Sequence, residues 1–166
     1  MKQSILLILS LLMVVSQIPS SCEKENQRKR MEEGKVDKEL VLQLINAYRI
    51  SGCDCGTEGY YAPTTPVTWN DTLELAAKAH SADMFSKNFF NHTGSDGSIM
   101  NDRIKRLGYN WSTCGENIGK GHKNEESVVI GCMNSPEHCS NVMYPKFKEI
   151  GAAKIGDFWT LVFGAR

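Results

Sequence analysis

The sequence lacks most of the features that would name a function outright. Its charge is balanced, 19 lysines and arginines against 19 aspartates and glutamates in 166 residues, and a chain without a basic stripe argues against a nucleic-acid partner. After residue 22 no apolar run is long enough to span a bilayer. There is no His-Glu-x-x-His phrase and no Gly-x-Ser-x-Gly elbow, so two common hydrolase signatures are missing. No internal repeat points to a solenoid and no heptad pattern argues for a dimer. Histidine is scarce, four in all, so imidazole chemistry has to draw on His80, His92, His122 and His138. What remains, at 41% apolar residues, suits one soluble domain around a single core.

The N-terminus differs from the rest. Lys2 precedes an apolar run from Ile5 to Val15 and then Pro19-Ser20-Ser21, which reads as a secretory signal over residues 1–21 and is too short for a membrane-spanning helix. Cys22 follows directly. The stretch resembles a bacterial lipoprotein signal, in which that cysteine becomes the lipidated first residue of the mature chain, although Pro19 stands where such signals usually carry leucine. Ordinary cleavage and release is the alternative. Residues 22–36 are almost wholly polar and charged and read as a solvated tether, leaving a domain at residues 37–166.

Within the domain, Asp37 caps a helix whose apolar residues Leu40, Val41, Leu44, Ile45 and Tyr48 recur at helical spacing up to Gly52. A loop with Cys53-Asp54-Cys55-Gly56 and two prolines leads to Trp69. Asp71 and Glu74 form a capping-box pattern for a second helix reaching towards Phe89, with His80 on its apolar stripe as a structural residue. Ile99, Arg103, Ile104 and Leu107 suggest a short helix ending at Gly108. A helix over Glu125–Met133 follows, and Ser135-Pro136 reads as the start of another. Ile150 to Phe163, broken at Gly156-Asp157, reads as a hairpin. With the strand around Glu116 it makes a small antiparallel sheet flanked by helices, an α+β three-layer α-β-α sandwich.

The residue in most need of explanation is Glu116, one carboxylate in the apolar, glycine-bracketed run Cys114-Gly115-Glu116-Asn117-Ile118-Gly119. A strand carboxylate is rarely buried unless something pairs with it. His92, at a helix exit, and His138, in the first turn of a helix, are the candidate partners. Unpaired amide groups at that helix start would depress the His138 pKa. Two imidazoles and a carboxylate suit a divalent metal, a proton-transfer site or a polar core cluster. His122 is read as a loop residue. The Asn-x-Ser/Thr phrases at Asn70, Asn91 and Asn110 are read as chance matches.

These phrases, taken in order, resemble the CAP superfamily, or SCP-like extracellular domain, in its bacterial branch. The carriers run from Leu44-Ile45-Asn46-Ala47-Tyr48-Arg49 through Trp69-Asn70, Phe90-Asn91-His92-Thr93, Gly115-Glu116-Asn117-Ile118 and Ser135-Pro136-Glu137-His138 to Phe163-Gly164. The resemblance implies an α-β-α sandwich with a central cleft, and a tetrad of two histidines and two acidic residues that binds a divalent metal such as zinc in some members. His92, Glu116 and His138 match three tetrad positions. At the fourth, the phrase Cys132-Met133-Asn134-Ser135 lacks both the glutamate of animal and plant members and the tryptophan that bacterial members usually keep. Glu137, beside His138, is set to point elsewhere.

The resemblance also implies that Cys139 pairs with Cys53 or Cys55. Cys114 and Cys132 are then expected to bond to each other across the cleft wall, with two buried free thiols as the alternative. The leading functional expectation is an exported, lipid-anchored cell-envelope domain, or else a periplasmic or secreted one. Its cleft residues His92, Glu116, Ser135 and His138 hold a metal, a lipid or a cell-wall glycan. The alternatives are a metal-dependent hydrolase of peptides, glycans or esters using the same cleft, nucleophilic catalysis by Ser135 or Cys139, and a purely structural polar cluster.

Overall fold

The structure is a computed structural model and describes residues 34–166 together with Glu25. The expected leader, Cys22 and the rest of the tether to residue 33 lie outside the described residues. The chain runs α1 (Lys38–Ser51), β1 (Cys53–Asp54), a 3₁₀ turn (Gly56–Glu58), β2 (Tyr60–Tyr61), β3 (Thr68–Trp69), α2 (Asp71–Lys87) and α3 (Met100–Arg106). It continues with β4 (Thr113–Lys120), α4 (Glu125–Met133), α5 (Pro136–Met143), β5 (Glu149–Ile155) and β6 (Phe158–Ala165). Among the described residues no helix is long and apolar enough to cross a membrane.

The four-stranded sheet has the order β3-β5-β6-β4, with β6 antiparallel to both of its neighbours. The three expected antiparallel strands are present as β4, β6 and β5, and a fourth extends the sheet. The segment around Trp69 adds β3, parallel to β5, and the cysteine loop folds into a separate β1–β2 ribbon.

Alternation along the strands sorts the core into two layers. Ile150, Ala152, Trp159, Leu161 and Phe163 face α1, α4 and α5. Ala153 and Val162 face α2 and α3, where they pack with Leu73, Ala76, Ala77 and Ile104. The helix α2 lies hard against the sheet at Gly151, where any side chain would run into the backbone of Leu73 and Glu74. The expected α-β-α sandwich is therefore the fold.

One capping expectation holds and the other does not. Asp37 does cap α1, accepting from the Leu40 amide at 3.0 Å. For α2 the cap is Asn70, not Asp71, with Oδ1 accepting from the amides of Thr72 and Leu73. Glu74 is drawn away to Trp69 Nε1 at 3.0 Å and to Lys38 Nζ at 2.7 Å, so no capping box forms.

Among the described residues the cysteines form one disulfide, Cys55–Cys139, with Cys53, Cys114 and Cys132 free. The bridge ties the 3₁₀ turn to α5 and closes a long stretch of chain, typically worth about 2–4 kcal/mol. The expected Cys114–Cys132 bond is not formed, because the sheet stands between them. Cys114 packs with the α2–α3 layer, its Sγ 3.3 Å from Asn101 Oδ1, whereas Cys132 lies on α4 in the opposite core. Burial pushes both thiols up to about 11, which leaves them protonated and inert at neutral pH.

Candidate functional site

Glu116 stands midway along β4 on the α2–α3 face, with its side chain only 3% exposed. A buried charge needs close partners, and two arrive from that layer. Arg103 of α3 donates from Nη2 to Glu116 Oε2 at 2.7 Å, and from Nη1 to the backbone carbonyls of His92 and Ser98. His92, beyond the exit of α2, places Nδ1 2.8 Å from Glu116 Oε1. One guanidinium thus compensates the carboxylate and also fixes the backbone of the residue whose ring that carboxylate holds. The His92 side chain is 57% exposed, and only Nδ1 of its two ring nitrogens is engaged by Glu116.

His80 completes the support. Its Nε2 lies 2.9 Å from the carbonyl of Asn91 and 3.9 Å from Glu116 Oε1. A carbonyl can only accept, so Nε2 carries the hydrogen, and the buried Nδ1 has no protein partner. His80 therefore positions the Asn91-His92 segment from beneath, as a structural residue. With Arg103, Asp83 and Leu107 it also lines a pocket of about 370 Å³ between α2 and α3.

His138 belongs to the other layer, on α5, and Asn117 brings it in. On the opposite face of β4 from Glu116, Asn117 donates from Nδ2 to the His138 carbonyl at 3.0 Å and accepts from Asn141 Nδ2 at 3.0 Å. Because β4 is an edge strand, the two layers meet around it, and His138 comes close enough to His92 for their charges to oppose each other. Burial, then that neighbour, holds the His138 imidazole below the usual histidine range. The direction matches the expectation from its helix position, while the cause is desolvation.

The remaining candidates are less engaged. Ser135 is the N-terminal flank of α5, but its side chain makes no capping bond. Glu137 is exposed. His122 is not a free loop side chain: its ring packs on Gly119 and Gly131, at the latter closely enough to exclude a methyl group, and its carbonyl accepts from Trp159 Nε1. Among the described residues the one group of three histidine, cysteine or acidic donors within 4.8 Å of one another is Cys53, Cys55 and Cys139. His92, Glu116 and His138 do not form such a group, and both Glu116 oxygens are engaged, by His92 and by Arg103.

Sequence reasoning passed over Arg103, Asn117 and Asn141 as site residues. For Arg103 a signal exists, a charged residue written into the apolar spacing of Ile99, Ile104 and Leu107. The asparagines carry none, since their role depends on which layer each strand face meets.

The buried imidazoles carry a pH prediction. Folding lowers the pKa of His80 and His138, in both cases chiefly by burial, so below the ordinary value the unfolded chain binds more protons than the folded one. Stability is therefore full above about pH 6.5 and declines as pH falls from there through the depressed folded values. Urea midpoints measured with a chelator at about pH 7.5 and about pH 5.5 check this. A midpoint that stays level, or rises with acid, contradicts it.

The sequence model described as CAP, the cysteine-rich secretory protein family, matches residues 42–161. The chain is a CAP domain protein. The uncharacterized protein YkwD of Bacillus subtilis is 33% identical over 151 residues, which covers 89% of this chain and 55% of that protein. The chain thus spans about half the length of that relative. In fold, this CAP domain is similar to an extracellular protein containing a SCP domain from Bacillus anthracis. That match has a TM-score of 0.67 and 22% identity, covering 91% of this chain and 45% of that one. It is also similar to an outer surface protein from Borrelia burgdorferi, with a TM-score of 0.61 and 20% identity over 86% and 94% of the two chains. These relatives place the CAP domain in the bacterial branch of its superfamily.

Proposed function

We propose that this CAP domain works outside the cytoplasm as a cell-envelope binding module, and that its ligand is held at the β4 edge by His92 and His138. The observation that carries this reading is the exposed His92 ring fixed by a buried Glu116–Arg103 pair. An imidazole braced by a carboxylate, with a second one kept neutral by burial, is a donor pair prepared for a ligand. The lipid anchor at Cys22 and the lipid bilayer as its partner belong to the same proposal. Mass spectrometry of the mature N-terminus tests them, and an unmodified Cys22 or a cut elsewhere would remove them.

The donor set suits a divalent cation such as zinc. Glu116 takes Nδ1 of His92 and leaves Nε2 of that exposed side chain available, and His138 supplies a neutral ring. Glu116 then serves as the carboxylate behind a metal-binding histidine, an arrangement that orients the ring and raises its basicity. A bound zinc would supply Lewis-acid character to an oxygen-bearing ligand such as a glycan or a lipid headgroup.

Zinc titration by calorimetry should give micromolar or tighter binding that is lost in His92→Ala and His138→Ala and weakened about 10–100-fold in Glu116→Gln. A folded protein that takes up no zinc would leave a metal-free binding cleft. Equal binding by all four proteins would refute the site. The His92–Glu116 pair also favours a second reading, a metal-dependent hydrolase, because a base oriented by a carboxylate is what such chemistry needs. Zinc-dependent turnover of peptide, glycan or ester substrates that is abolished in His92→Ala would establish it.

A further inference from the structure

Three sulfurs meet where the β1–β2 ribbon touches α5. Cys55 and Cys139 are bonded, and the free thiol of Cys53 lies 3.7 Å from Cys139 Sγ and 3.9 Å from Cys55 Sγ. A free cysteine in contact with both atoms of a disulfide is a resident nucleophile for that bond. Cys53 is half-buried on a two-residue strand and nearly equidistant from the two bonded sulfurs, so it stands beside the bond and its sulfur has to swing onto the Cys55–Cys139 axis to attack. Neither Cys114, half-buried, nor Cys132, buried, joins this group of sulfurs.

We infer that Cys53, Cys55 and Cys139 form an internal thiol–disulfide exchange site, through which α5 is tethered alternately by Cys55 and by Cys53. In the step, the Cys53 thiol gives up its proton and its sulfur bonds to Cys139 Sγ. The Cys55–Cys139 bond breaks, and the electron pair leaves on Cys55 Sγ, which takes up a proton. One disulfide and one thiol are present before and after, so no outside oxidant or reductant is needed. Attack on Cys139 is preferred over attack on Cys55, because a Cys53–Cys55 bond would close a short, strained ring. Since Cys139 follows His138 directly, moving its tether by two residues changes how the ribbon holds the first turn of α5, and with it one side of the cleft.

The exchange is slow at neutral pH and gains from alkali. Burial, then the neighbouring carboxylate of Asp54, raises the Cys53 thiol above its ordinary value, and only the thiolate attacks. Below that pKa the rate should rise about tenfold per pH unit.

The test is a disulfide map of the full chain after timed incubation at about pH 8.5, acid quench and alkylation. A protease that cuts before aspartate separates Cys53 from Cys55. As incubation lengthens, Cys53 should lose alkylation and Cys55 gain it in equal amount. Cys55→Ser should carry a Cys53–Cys139 disulfide with Cys139 no longer alkylatable, and Cys53→Ser should keep Cys55–Cys139 unchanged at every time. A wild-type map that holds only Cys55–Cys139 throughout would overturn the inference. So would a folded Cys55→Ser protein with Cys53 and Cys139 both alkylated under air oxidation. If Cys55→Ser does not fold, the wild-type time course decides alone.

Discussion

The Arg49→Ala variant is expected to lose about 3–5 kcal/mol of folding stability, a large part of the roughly 5–15 kcal/mol that holds a domain together. Arg49 ends α1 and is fully buried, yet no carboxylate meets it. Its guanidinium donates instead to four backbone carbonyls. Nε reaches Thr65 at 2.9 Å, Nη1 reaches Val142 and Tyr144 at 2.6 and 3.1 Å, and Nη2 reaches Phe147 at 3.0 Å. These carbonyls belong to the proline loop, to the last turn of α5 and to the segment after it, and of the four only Tyr144 also accepts from a backbone amide outside regular structure, that of Phe147. Burial without a counter-charge pulls the Arg49 pKa down to about 10, still charged at neutral pH. Removing the side chain leaves several buried acceptors unpaired at about 1–3 kcal/mol each, offset in part by water entering the gap. Arg49→Lys should recover less than half, because an ammonium cannot reproduce the planar fork. Urea unfolding measures both, and a loss below about 1 kcal/mol for the alanine variant would refute the account.

A loss of similar size, about 3–5 kcal/mol, is expected for Arg103→Ala, this time centred on the site. The substitution strands Glu116, whose remaining close contacts are the exposed His92 and the more distant His80. It also frees the His92 and Ser98 carbonyls that Arg103 holds. The informative experiment is the double-mutant cycle. Arg103→Leu with Glu116→Leu should cost less than the sum of the two single changes by about 1–3 kcal/mol, because each single change leaves a buried charge and the double change leaves none. Strict additivity would mean that the two side chains do not depend on each other. If His92 is positioned as described, Arg103→Leu should also weaken zinc binding in protein that remains folded.

Both arginines show where sequence reasoning reads well and where it stops. Helical spacing located α1, α2, α3 and α4, because each buries one stripe and the stripe is written in the residues, while α5 was legible from its Ser135-Pro136 start. The same spacing marks Arg49, since Val41, Ile45 and Arg49 fall on one face and all three are fully buried. A charge on an apolar stripe is a signal of a buried hub, and Arg103 repeats it. Sequence cannot say what such a hub binds, because its partners are carbonyls or carboxylates brought in from distant segments. The glycine-bracketed Glu116 was legible as a buried carboxylate. Its partners were legible only by half: His92 touches it, whereas His138 comes to the same edge from the opposite layer. The cysteines fail for the same reason. Proximity in three dimensions singles out Cys55 for Cys139 and separates Cys114 from Cys132 by the thickness of a sheet, and no spacing along the chain encodes either fact.

The strand order has a consequence for how the protein is made. The strand that carries Glu116, β4, has a single neighbour in the sheet, and that neighbour is β6, synthesised after α4, α5 and β5. Contacts this distant in sequence form late and slowly. Until Phe158–Ala165 has left the ribosome, Glu116 and Asn117 have no ladder to fix them, and the two layers have no common edge to meet around. A chain arrested or cut between α5 and β6 would carry His92, Arg103, Glu116 and His138 and still have no cleft.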